Sequence, residues 1–222
     1  MLKSIIFKEW LKVRWYLIGA TLLLGVFVSY IFINVKHDIT FQDANNLWYL
    51  ILFRKYQFFG LIKYLPLLVG IGIAAAQYVP EIVSKRVKLS FHLPVNENKM
   101  LLMMLGFGNL SLLICFSIVF SIFIGLSNCF FAYEIVNEAI ITIIPWLLGG
   151  IAAYSLVGLI VMEPIWMYKI FYLVVTSMFI PLYYERGITG AYKPVNLTLA
   201  IITLLISVSL LFSAYRFRKG EM

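Results

Sequence analysis

Side chains able to hold a metal or attack a substrate are sparse here: two histidines, two cysteines and ten acids in 222 residues. His37 and His92 are expected on opposite sides of a membrane, so they cannot share a metal. Cys115 and Cys129 fall on or near one helix, where an axial rise of about 1.5 Å per residue sets them roughly 21 Å apart, beyond disulfide reach. No Walker-type glycine-rich loop is present. Intramembrane proteolysis or phosphatidyl transfer would need a Ser/His pair, two facing aspartates or an acidic metal cluster at membrane depth, and no apolar run contains Asp. Glu163 comes closest to a span core, at one end of it. Glu134 and Glu138, four apart, could gather a cation, although on an exposed helix end they read as solvated charge. The sequence therefore offers no catalytic residue, no cofactor-binding residue and no metal ligand in this chain.

The elements that carry these residues follow from composition. With 63% hydrophobic residues, 13% charged residues and a mean hydropathy of +0.95, the chain exposes too much apolar surface for a soluble domain. It reads as an all-α, polytopic membrane protein. The net charge of +8 does not point to nucleic acid, because the basic residues stand at the ends of apolar runs and serve as topology and headgroup anchors.

Residues 2–15 are basic and amphipathic: Leu2, Ile6, Trp10 and Val13 share one helical face, and Ser4, Lys8 and Lys12 another. This predicts an interfacial helix with its lysines toward lipid headgroups. Six spans follow, at about 16–35, 58–79, 100–126, 139–162, 167–184 and 196–214, in one transmembrane domain covering 1–222. Gly70 with Ala74, Ser117 with Ser121, and Gly149 with Ala153 are small residues four apart, suited to close helix packing within or between subunits. Lys63 reads as a snorkelling residue at a span end. With both termini inside, twelve of the 18 basic residues fall on the inner side and six on the outer, which predicts cytoplasmic termini.

Between the second and third spans lies the most polar long interval, Pro80 to Lys99. Pro80 suits the first turn of a helix, Glu81 and Lys85 stand one turn apart, and Ile82, Val83 and Val87 can form an apolar stripe. Pro94 ends that helix. A short cytoplasmic surface helix is expected, of the kind a soluble partner can push; an ordinary basic cytoplasmic loop has the same composition.

The order of these parts resembles the permease subunit of an ABC-2 type exporter. The residues that carry the resemblance are the N-terminal Phe7-Lys8-Glu9-Trp10-Leu11-Lys12, Glu81, the pair Lys85-Arg86, and Leu93-Pro94-Val95 before Lys99. Val87-Lys88-Leu89-Ser90-Phe91-His92 departs from the small polar stretch usual in the family, and the link between spans five and six is shorter than in many members. The resemblance implies a coupling helix at Glu81, Lys85, Arg86, Leu93 and Pro94 docking into a separate ABC-type ATP-binding subunit, which would carry the ATP and Mg. It also implies pairing in the membrane with a second copy or a paralogous permease, contact with membrane lipids, no nucleic acid, and a bacterial inner membrane. The expected function is export of an apolar or amphipathic cargo, since no charge is expected inside the spans. A non-transporting membrane anchor or assembly subunit would have the same absence of a polar path.

Overall fold

A computed structural model describes residues 2–41, 44–83, 97–185 and 189–219. Among the described residues seven α-helices run in the order α1 Leu2–Phe41, α2 Ala44–Arg54, α3 Leu65–Val83, α4 Glu97–Phe130, α5 Tyr133–Met162, α6 Trp166–Phe179 and α7 Asn196–Lys219. Short 3-10 turns at Gly60–Ile62 and Ile180–Tyr183 lead into α3 and out of α6. Among the described residues there is no strand. Among the described residues five segments are long and apolar enough to cross a membrane: Lys3–Phe41, Gly60–Val83, Leu102–Phe130, Tyr133–Met162 and Trp166–Tyr183. Asn196–Ser209, at the start of α7, is a shorter apolar helix. The protein is thus an all-α, membrane-integral chain.

Two boundaries differ from the sequence expectation. The interfacial helix over 2–15 and the span over 16–35 form a single helix of 40 residues. At about 1.5 Å per residue that is roughly 60 Å, about twice the hydrocarbon thickness, so α1 extends well beyond the span itself. No Pro lies near Trp15, Gly19 is accommodated within the helix, and Lys8 and Lys12 pair with Glu81 of α3. The second difference is Pro80, which does not start a new helix but lies inside α3, near its end. A proline there removes only the bond to the carbonyl four residues back, and its fixed φ is compatible with the final turn.

α5 is the most deeply buried of the apolar segments, and the other helices gather around it. Its closest neighbour is α3. A Cβ on Gly70 would stand 2.1 Å from the Gly150 carbonyl oxygen, and one on Gly150 would stand 2.6 Å from the Pro66 carbonyl oxygen. The two backbones touch there, and only glycine leaves the room. α5 also contains Pro145, which cannot donate to the carbonyl of Ile141. Asn196, the first residue of α7, supplies the missing donor: its Nδ2 lies 3.1 Å from that oxygen. A helix-interior proline thereby positions the start of α7. On the opposite flank of α3, α1 packs along α4, with a cluster of Phe32, Phe58, Phe123 and Phe131 closing the end of the bundle near α2.

Candidate functional site

At the N-terminal end of α1 the bundle contains a buried polar cluster. Lys8, Glu9 and Lys12 lie within little more than one helical turn, and Gln77 and Glu81 are four apart on α3, so each helix presents its polar residues on one stripe. The two stripes face each other. Lys12 Nζ stands 2.6 Å from Glu9 Oε1 and 2.5 Å from Glu81 Oε1, and Lys8 Nζ stands 2.9 Å from the same Glu81 oxygen. Glu9 and Glu81 are 1% and 2% exposed and the Lys12 side chain 10%, whereas Lys8, at 38%, reaches the surface. Two cations meet two carboxylates, so the cluster has no net formal charge.

Gln77 extends this cluster into the bundle. Its Nε2 donates to Glu9 Oε2 at 3.0 Å and to the Met104 carbonyl of α4 at 2.8 Å. Its Oε1 accepts from the Tyr154 hydroxyl of α5 at 2.7 Å. The Glu9 carboxylate dictates that orientation, because a reversed amide would set oxygen against oxygen. As the Tyr154 proton is committed to Gln77, the Tyr78 hydroxyl, 2.7 Å away, is the donor in the Tyr78–Tyr154 pair. The chain therefore runs from Tyr78 through Tyr154 and Gln77 to Glu9 and the ammonium groups, joining four helices. Gly108 makes it possible: a Cβ there would fall 1.8 Å from the Tyr154 hydroxyl oxygen and 2.6 Å from Gln77 Oε1.

Of the residues singled out from the sequence, Glu81, Lys8 and Lys12 meet in this cluster. Glu81 points into the bundle and so is not a surface residue for a partner to grip. Lys12 pairs with Glu9 and Glu81, and the two carboxylates are buried although all three residues lie outside the spans expected at 16–35 and 58–79. Of the residues expected on the apolar face of α1, Ile6 and Trp10 are exposed and Val13 is buried. Lys85, Arg86, Leu93 and Pro94, with His92, lie outside the described residues.

Gly70 and Ala74 are buried on the α5-facing side of α3, and Gly149 and Ala153 are buried on α5. A Cβ on Gly149 would meet the Tyr184 ring at 2.7 Å. Ser117 and Ser121 are exposed on α4, with the Ser121 hydroxyl donating to the Ser117 carbonyl at 2.8 Å. Lys63 donates to the Glu185 carbonyl at 3.3 Å, at the end of the bundle away from the polar cluster. Near that end Glu138 faces Lys55 at 3.5 Å across a cleft of about 110 Å³ that Glu134 also lines. Cys115 is buried and Cys129 exposed, both as free thiols. Among the described residues no group of three His, Cys, Asp or Glu side chains could hold a metal.

The sequence reading passed over Glu9, Gln77, Tyr78, Gly108 and Tyr154. A signal was available: acidic and basic residues of opposite sign at the ends of two apolar helices, together with a Gln one turn inside, are costly unless they face each other. The chain matches no family model, no curated protein and no solved structure.

Proposed function

We propose that this chain is the transmembrane permease subunit of an ATP-driven exporter of the ABC-2 type, with six spans and both termini in the cytoplasm of a bacterial cell. Two copies, or this chain and a paralogue, pair in the inner membrane, and separate ATP-binding subunits grip the basic interval that starts after α3. The observation that carries this reading is where the ion cluster lies. Glu81 and its lysine partners stand at the end of α3, three residues before Ser84, the first residue of the 84–96 interval. A push on that interval reaches α3 directly and, through Lys12 and Glu81, reaches α1 as well. Glu81 therefore acts as a joint between helices, and the surface contacts fall to Lys85, Arg86, Leu93 and Pro94.

The cargo in this reading is apolar or amphipathic. A lateral groove of about 760 Å³ between α5, α6 and α7, with Leu156, Phe171, Val175 and Ile202 in its wall, has no charged side chain in its lining among the described residues. Such a surface suits a hydrocarbon-bearing molecule entering from the side.

Copurification tests the assignment. The tagged chain is expected to retain an ATP-binding cassette protein encoded beside it in fixed stoichiometry, and Lys85→Glu with Arg86→Glu is expected to release that protein. If wild type retains no ATPase, the alternative of a non-transporting membrane anchor takes its place.

A further inference from the structure

α6 has no buried residue, and it leaves a second groove against α3 and α5 of about 340 Å³. Ile82 of α3, Val161 of α5, and Ile170 and Leu173 of α6 line it, with Trp166 and Lys169 in the first turn of α6. From Trp166 to Leu173 the lining covers about 10 Å of helix at 1.5 Å per residue. Trp166, Ile170 and Leu173 are exposed, so the slot opens sideways, toward hydrocarbon in a membrane. Among the described residues one charge stands in its lining. The Lys169 ammonium lies 5.6 Å from the Trp166 ring centroid, and among the described residues no carboxylate forms an ion pair with it.

We propose that this groove holds one anionic phospholipid of the surrounding bilayer, with an acyl chain along the slot and the phosphate on Lys169. An apolar trough over about two helical turns takes the chain. A lysine in the first turn of a membrane helix, beside a tryptophan, stands where headgroups lie. The single cation makes the choice among lipids: a zwitterionic headgroup offsets the attraction with its own ammonium, whereas an anionic one does not. The larger groove between α5, α6 and α7 has room for a chain but no charge to select a headgroup. This inference rests on the membrane-integral fold and not on the exporter reading.

Native mass spectrometry of the full chain in one detergent, titrated with dioleoyl phosphatidylglycerol or dioleoyl phosphatidylcholine, measures the preference directly. Wild type is expected to bind one phosphatidylglycerol about fivefold more tightly than phosphatidylcholine, the preference that one lysine near an anionic headgroup supplies. Lys169→Gln is expected to abolish the preference while leaving chain binding in place, and Lys169→Arg to keep it. Leu173→Trp, which fills the slot, is expected to weaken both lipids. Lys193→Gln, at a lysine outside the groove, is expected to change neither. Equal affinities in wild type, or a preference that survives Lys169→Gln, would overturn the proposal.

Discussion

Replacing Lys12 with methionine keeps the length of the side chain and removes its charge from between Glu9 and Glu81. The two carboxylates, 1% and 2% exposed, are then left facing Lys8, which pairs with Glu81 Oε1 and is itself partly solvated. Breaking a buried ion pair by deleting one partner costs about 3–5 kcal/mol, because a buried charge loses its compensation. At about 2–4 °C per kcal/mol for a chain of this size, the melting temperature is expected to fall by roughly 6–20 °C. Glu81→Gln is milder, since Lys12 keeps Glu9 at 2.6 Å, and about 1–3 kcal/mol is expected. The double variant Lys12→Met, Glu81→Gln removes both charges and should lose less than the sum of the singles, by at least about 1 kcal/mol. Tryptophan fluorescence during thermal unfolding, in one detergent at one protein concentration, measures all of these. Single losses below about 0.5 kcal/mol, or additive ones, would show that the cluster does not fasten α1 to α3.

Three further outcomes follow from the packing. Gly70→Ala drives a Cβ into the Gly150 carbonyl and is expected to cost about 1–3 kcal/mol, whereas Gly72→Ala, with nothing within 4 Å, is expected to stabilise by about 0.5–1 kcal/mol; paired melting curves compare them. Tyr154→Phe strands Gln77 Oε1 and is expected to cost about 1–3 kcal/mol in the same assay, and Gly108→Ala should displace the same hydroxyl and lower the melting temperature in the same direction. In a background with Cys115 and Cys129 changed to serine, Lys193→Cys should react with an impermeant maleimide on intact cells and Lys88→Cys only after permeabilisation. The reverse pattern would invert the proposed orientation.

Much of the bundle was legible because its determinants are local. Apolar runs of sufficient length give helices, and Gly70, Ala74, Gly149 and Ala153 mark a close approach through size alone. The partner of each helix was not legible, since spacing shows that a face is small or polar but not what it meets. Lys8 and Lys12 illustrate this. Their shared face was read as pointing to lipid, and the arrangement became clear only when Glu81, about seventy residues later, was brought opposite. Pro80 shows the same limit, for it lies within α3 where its local preference for a first turn predicts the start of a new helix, whereas Pro145 lies inside α5 as the span over 139–162 implies. Pro145 is accommodated by a donor from Asn196, which no sequence window around the proline contains.

ATP hydrolysis by the copurified complex in lipid vesicles, compared between wild type and Glu81→Gln, addresses the joint between α3 and α1 most directly. The account predicts that Glu81→Gln retains the ATP-binding partner at wild-type stoichiometry, because Glu81 is buried, while ATP turnover falls several-fold. A complex that forms and hydrolyses ATP at the wild-type rate, or one that loses its partner on this buried change, would contradict it.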